Sequence, residues 1–428
     1  MKRVSPLMIA SLLVFTQACD RANPPTVSTS NALQPPCMVA LAANPGTDTD
    51  IARLQRDLRE KRAPGRAAEQ LGYRFIAQAR LTNDAGFYKV AEQTAACLDS
   101  IEPNGAAALL LRGHAFHQMH RFAEAEQIAR QLVASREFVL DFGLLGDVLM
   151  EQGRVTEASV AYQKMIDLKP FYQSYTRAAH LRWLRGDVDG AIEMMHAAIR
   201  SASPRDRESV AWAYSRLAVY ELQRGRLSEA ARMTDRSLEY VSDYAAALLA
   251  RGRIQLAQTQ FTAAAATLEK AARLNPLPEY RWAFADALRA LQRIDDAVAV
   301  ERQLVDQGAD DPRTFALYLS TRREDGSKAL DLARRELEKR ADIFTLDALA
   351  WALAAAGQLD DASALMDRAL AEGTQDARLF LHAAVIAAAT GRSADAARWH
   401  RAASKLRYML LPSELGVLRG GVVTTPRI

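Results

Sequence analysis

Aromatic side chains are scarce in this chain, only 7% of 428 residues, and most of its 21 glycines and 15 prolines are spaced out and not gathered into turn-forming runs. That scarcity argues against a strand-and-turn protein and for an all-helical one rich in Ala, Leu and Arg. An excess of one charge is missing as well. The formal net charge is +4, and without Lys2 and Arg3 the remaining 53 bases face 51 acids, so nothing calls for a nucleic-acid partner. Catalytic signatures are also lacking. There is no Gly-rich phosphate loop after a strand, no Gly-x-Ser-x-Gly, no His-Glu-x-x-His, and no Cys close in sequence to a His. The acid pairs Asp295–Asp296 and Asp360–Asp361 fall where helices begin, and the helix dipole favours them there. The expectation is a protein that is not an enzyme and carries no cofactor and no metal.

The chain opens on "MKRVSPLMIASLLVFTQAC". A basic start, an apolar run from Leu7 to Phe15 too short to span a bilayer, and a small residue before Cys19 read as an export signal over residues 1–18. The stretch resembles a bacterial lipoprotein signal, although Thr16 stands where that family usually has Leu. The resemblance implies that Cys19 is acylated as the first mature residue. It also implies lipid anchoring on the periplasmic side of the cell envelope, with Asp20 pointing to the inner membrane. Each buried CH₂ of such chains adds about 0.8 kcal/mol, so several chains anchor firmly. Residues 19–48, rich in Pro, Ser, Thr and Asn, read as a flexible tether with a reach of about 30 Å. Cys37 and Cys97 either pair in an exported compartment or remain a free thiol in the tether and a buried one in the body.

The body is one motif repeated. "GHAFHQMHRFAEAEQIARQL", "GDVLMEQGRVTEASVAYQKM" and "AWALAAAGQLDDASALMDRA" each run from a small residue to an Ala twelve places on. Taking that Ala as anchor gives Ala91, Ala125, Ala158, Ala191, Ala230, Ala264, Ala297, Ala329, Ala362 and Ala396, separated by 32 to 34 residues except for one gap of 39. So steady a period over ten copies predicts a solenoid. Five residues before the anchor six units carry Gly, where the chain must reverse. Three before it stand apolar knobs such as Phe122, Val155 and Leu359, and Pro103, Pro170, Pro276 and Pro312 fall near unit ends.

With these columns in place the chain resembles a tetratricopeptide-repeat protein over residues 72–404. The implied fold is all-α: a right-handed superhelical solenoid of about ten tandem helix-turn-helix units. Residues 49–71 form N-terminal capping helices and 405–428 a C-terminal capping helix and tail. The long gap places Ser201–Val210 as an enlarged loop, and the unit of Ala329 is degenerate, with Leu317 and Gly326 out of column.

The resemblance also assigns the first helix of each unit to an inner, concave wall. On that helix Trp183, Trp351, Trp282 and Trp212 lie 8, 11, 15 and 18 residues before their anchors, offsets that span about 80°. Tyr73, Phe344, His114, His117 and His180 share the stripe. Because other units hold Asp147, Arg253 and Asp286 there, the stripe reads as wet, and exposed rings suit an extended peptide. Packing of those rings against the next helix is the competing reading. No copy of the family's carboxylate clamp is present. His114 and His117 are spaced to share a metal, but His120 sits in the turn column and no neighbouring unit completes a site. The expected function is therefore a membrane-anchored adaptor or scaffold that binds an extended segment of a partner protein in its groove and aids assembly of an envelope complex. The alternatives are a self-associating structural solenoid, or a metal- or small-ligand-binding protein using His114 and His117.

Overall fold

The computed structural model describes residues 35–46 and 48–420. The expected signal (residues 1–18), Cys19, Asp20 and the extreme C-terminus lie outside them. Among the described residues there are 23 α-helices and no strand. Two short helices, α1 (Pro35–Ala42) and α2 (Thr49–Arg59), precede ten helical hairpins. These are α3 (Pro64–Thr82) with α4 (Gly86–Ile101), α5 (Ala106–Gln118) with α6 (Phe122–Ser135), α7 (Val139–Glu151) with α8 (Val155–Leu168), α9 (Tyr172–Leu184) with α10 (Val188–Ser201), and α11 (Arg207–Gln223) with α12 (Leu227–Tyr240). Then follow α13 (Ala245–Ala257) with α14 (Phe261–Leu274), α15 (Pro278–Ala290) with α16 (Ile294–Gln307), α17 (Pro312–Arg322) with α18 (Gly326–Lys339), α19 (Ile343–Ala355) with α20 (Leu359–Ala369), and α21 (Ala377–Ala389) with α22 (Ser393–Lys405). A 3-10 turn, Arg407–Met409, and α23 (Pro412–Arg419) are the last elements of the described residues. This is the all-α solenoid of ten repeated hairpins that the period predicts.

The columns explain why it forms. All ten anchor alanines are buried, none more than 4% exposed, and the small residues twelve places earlier are buried with them. A Cβ added to Gly113 would strike Leu144, and one added to Gly252 would strike Leu268, so the small column sets how closely neighbouring helices approach. In eight of the ten units the turn column is left-handed, and at three of these without glycine: His120, Thr259 and Gln292 have φ of 59°, 58° and 61°. For β-branched Thr259 this conformation is strained. Thr259→Gly is expected to raise stability by up to about 1 kcal/mol, the relief of strain exceeding glycine's extra chain entropy; an unchanged urea midpoint would count against it.

Three local expectations need correction. Part of the tether is helical: Cys37 and Ala40 of α1 are buried against α4, and Cys37 is disulfide-bonded to Cys97. The enlarged loop is short. Residues from Arg207 onward extend α11 by a turn instead, and Glu208 on that turn binds the guanidinium of Arg80 at 2.9 Å and accepts a hydrogen bond from the Tyr244 hydroxyl at 3.0 Å. Pro312 does not terminate a helix; it opens α17, at a position where its missing N–H goes unneeded.

The coil curls until distant units touch. The amide of Ala341 donates to the carbonyl of Glu151 at 3.1 Å, and Arg340 pairs with Glu151 at 2.9 Å. Thr374 donates to the carbonyl of Leu184, Gln223 to that of Gln375, and Asn275 to the side chain of Asn83 at 3.2 Å. Units three to five thereby meet units eight to ten, and unit one meets the end of unit six. The end of the chain then folds back into the concave side, where α23 packs on α15 and α17 and the 3-10 turn touches α11, α13 and α21.

Candidate functional site

Curling brings the first helices of eight units, α7 through α21 in alternation, around a central cavity of about 370 Å³ that the C-terminal segment bounds at Met409. Of the stripe residues, His180, Trp183 and Phe344 line this cavity, and the three largest buried rings are not wet. Trp183 is 5% exposed, Trp351 7% and Trp282 0%. Their ring nitrogens are all engaged, donating to Gln223 at 2.7 Å, to Thr321 at 3.1 Å and to Ser413 at 3.0 Å. The expectation of an exposed aromatic wall is thus corrected for these three; Trp212, Tyr73 and Phe344 are half-buried.

The charges that made the stripe look wet are instead paired. Asp147 accepts from Arg177 Nε at 2.8 Å and from the Tyr162 hydroxyl at 2.9 Å. Arg253 binds Glu279 at 2.9 Å and the carbonyl of Met409 at 2.6 Å. Asp286, 2% exposed, accepts from the Ser413 amide at 2.8 Å and its hydroxyl at 2.6 Å. A buried charge is tolerated when each lone pair has a donor.

The sequence-selected residues separate into groups. Tyr73 and His114 meet edge to face at 5.9 Å at the N-terminal end. His180, Trp183 and Phe344 form a stack on the cavity, with ring separations of 5.6 Å on both sides of Trp183. Trp351 stacks on His382 at 4.2 Å, and Trp282 meets Tyr318 at 5.7 Å; these two lie apart from the stack. Burial, with little opposing charge, pushes His114 down to about 3 and His180 to about 4, and it lowers His117 too. All three imidazoles are neutral at neutral pH, so none is a pH-sensitive contact there. His120 stacks on Phe122 at 5.5 Å with Arg340 against its Nε2 at 3.1 Å. No group of three His, Cys, Asp or Glu side chains converges as for a metal among the described residues.

Five arginines stand on the cavity wall, Arg216, Arg253, Arg313, Arg340 and Arg378, and of these the sequence places only Arg253 on the stripe, as a sign of solvent and not as a site residue. A signal existed for two of them. Arg378 lies 18 residues before Ala396, the column of Tyr73, Trp212 and Phe344, and Arg253 shares the column of His114.

The C-terminal segment has its own electrostatics. Burial raises Asp286 to about 6, against the opposing hydrogen bonds of Ser413, and Glu414 adds to the rise. Glu414 itself is held low by Arg378 despite burial. A carboxyl whose folded pKa exceeds its ordinary value favours the folded form below that ordinary value and loses the contribution as pH rises through about 6. Amides of residues 410–418 are therefore expected to be at least about tenfold better protected from exchange at pH 5 than at pH 7.5, and Asp286→Asn should abolish the difference. The depressed histidines act in the opposite sense on global stability, so the readout is local. Equal pH dependence in both proteins would sink the assignment.

The tetratricopeptide repeat family matches the chain over residues 215–273 and 249–312, together 98 of 428 residues. No curated protein matches it. Among solved structures, the APC/C hetero-tetramer Cut9-Hcn1 is 14% identical with a TM-score of 0.46, over 90% of this chain and 62% of that one. An IFIT1 monomeric mutant with Gppp-AAAA is 13% identical at 0.48, over 74% and 75%. A human IFIT1 dimer with PPP-AAAA is 11% identical at 0.47, over 87% and 93%. This chain therefore spans less than two thirds of the Cut9-Hcn1 chain it matches. The family match falls on α11 to α16, in the middle of ten like hairpins, so the chain is an all-α helical-repeat solenoid that carries tetratricopeptide repeats over residues 215–312.

Proposed function

We propose that this protein is a lipid-anchored adaptor of the bacterial cell envelope that holds an extended segment of a partner protein along its concave face and aids assembly of a membrane-associated complex. The observation that carries the reading is internal. The concave side already accommodates a short segment of this chain, Leu406 to Leu411 with the 3-10 turn at its middle, followed by a short helix. It is held by the Arg253 contact to a backbone carbonyl, by Trp282 and Asp286 on Ser413, and by the Arg378–Glu414 pair. Apart from the Arg378–Glu414 pair these contacts go to main chain and to one small polar side chain, which recognise conformation more than sequence and suit exchange of this segment for a partner's that carries an acid. The lipid anchor rests on the likeness of residues 1–19 to a lipoprotein signal.

The test places photo-crosslinkable residues at Tyr73 and Trp212 on the inner wall and at Val160, 67% exposed on α8, in the lipidated protein within native envelope. A specific partner is expected from the inner positions, more strongly when Glu414→Ala loosens the internal segment. Adducts from Val160 alone would overturn the concave-face reading. Cys19→Ala is expected to move the protein into the soluble fraction; retention in the membrane would refute the anchor.

A further inference from the structure

The five guanidiniums of the lumen are not equivalent. Arg340 is paired with Glu151, Arg313 with Asp342 at 3.1 Å, and Arg253 with Glu279. The wall acids left over are engaged too: Asp347 contacts His382 Nδ1 at 2.8 Å, and Asp376 caps α21 through the amides of Arg378 and Leu379. Arg216 differs. No carboxylate lies within ion-pairing distance of it among the described residues; its guanidinium instead sits over the rings of Trp183, at 5.1 Å, and Tyr220, at 5.3 Å. On the same cavity, Arg378 pairs with Glu414 through Nε, while its buried Nη2 has no hydrogen-bond partner. An unmet buried donor is costly, and a guanidinium held on aromatic faces keeps its N–H edge free for an acceptor.

We propose that the lumen is a binding site for a free small organic anion, one carboxylate on an apolar or aromatic body, with Arg216 as the recognition cation and Arg378 Nη2 as a second donor. The apolar part of the wall, Trp183, Leu222, Ile343 and Phe344, receives the body. Size sets the ligand class. At about 30 Å³ per water the cavity has the room of roughly a dozen waters, at the small end of ligand pockets, and it is bounded by Met409 and by the meeting of distant units. That volume fits one small molecule. Positive charge on Arg216 also adds to burial in keeping His180 neutral, so the stack beside the cation offers it no competing charge.

Calorimetric titration of the full-length protein with 3-phenylpropionate, its neutral amide, acetate and inorganic phosphate tests this. The acid is expected to bind one to one, and the amide at least tenfold more weakly. Acetate, lacking the body, should also bind at least tenfold more weakly. Arg216→Gln should weaken the acid at least tenfold and leave the amide unchanged, Arg216→Lys should recover part of the loss, and Arg182→Gln, an exposed arginine off the lumen, should change nothing. Equal affinity for acid and amide in the unmodified protein overturns the anion site without need of any variant, as does an Arg216→Gln protein that keeps full affinity. Tight phosphate binding independent of Arg216 also overturns it. A capped Glu-containing octapeptide that binds through Arg216 while 3-phenylpropionate does not would overturn the free-ligand proposal and favour a partner's side chain. Failure of all these ligands leaves the crosslinking result on the concave face untouched, so the two readings fail separately.

Discussion

Trp282→Ala is expected to lower the unfolding free energy by about 3–5 kcal/mol, the range for removing a large aromatic from a packed core. The ring is fully buried on α15 against Tyr318, its N–H is bonded to Ser413, and Arg378 lies over it at 5.1 Å. Truncation leaves a cavity, removes the donor that meets the Ser413 hydroxyl and takes away the ring under a buried cation. The C-terminal segment should loosen first, because two of its contacts touch this one side chain or its hydrogen-bonded partner. Trp212→Ala, at a half-buried position, is expected to cost far less. Urea unfolding of both variants, followed by far-ultraviolet circular dichroism, makes the comparison. A Trp282→Ala protein within about 1 kcal/mol of the unmodified chain would mean the ring faces solvent after all.

Gly153→Ala should be the most damaging change at a turn. Gly153 and Gly357 occupy the same column with the same left-handed backbone, φ 73° and 77°. Alanine in that conformation costs about 1–2 kcal/mol at either position. Their surroundings differ. A Cβ at Gly357 meets nothing within 4 Å, whereas one at Gly153 runs into the carbonyl of Ala341, backbone that cannot swing aside. That carbonyl belongs to the residue whose amide bonds Glu151, so the clash falls on the contact that closes the coil. Gly357→Ala is expected to show the conformational cost alone. Gly153→Ala should exceed it by about 2 kcal/mol or more, as overpacking does, or escape the clash by separating the two units. Thermal unfolding reads the first outcome and hydrogen exchange at the Ala341 amide the second. Equal effects at the two glycines would argue against the closure.

Much of the fold was legible because its causes are local. A buried Ala anchor, a small residue twelve places earlier and a tight left-handed turn between them recur in most units, and neighbouring units repeat the same contact. The turn even keeps its conformation at His120, Thr259 and Gln292, where only the column, not the residue, announces it. What stayed hidden depends on units more than a hundred residues apart. The Trp stripe was misread as wet, because no local pattern says that Phe344 will reach Trp183 or that Ser413 will reach Trp282. Charges at Arg253 and Asp286 looked like signs of solvent for the same reason, since Met409 and Ser413 reach them from the C-terminal segment, while Asp147 is met from its own hairpin and the next by Tyr162 and Arg177. Likewise the insertion before α11 resembled a loop until Glu208 was seen to meet Arg80 across 128 residues. The lumen arginines follow from this closure, since a guanidinium on an open groove wall is unremarkable and the same group inside a cavity asks for an anion.

The closed coil is the premise of both the lumen and its internal segment, and it can be measured directly. Arg185 and Glu372 are solvent-accessible positions on units that adjoin where the Thr374 hydroxyl donates to the carbonyl of Leu184. With spin labels on cysteines introduced at these two sites, pulsed electron resonance should give one narrow, short distance in solution. A broad distribution centred on a long distance would show an open superhelix and contradict the account.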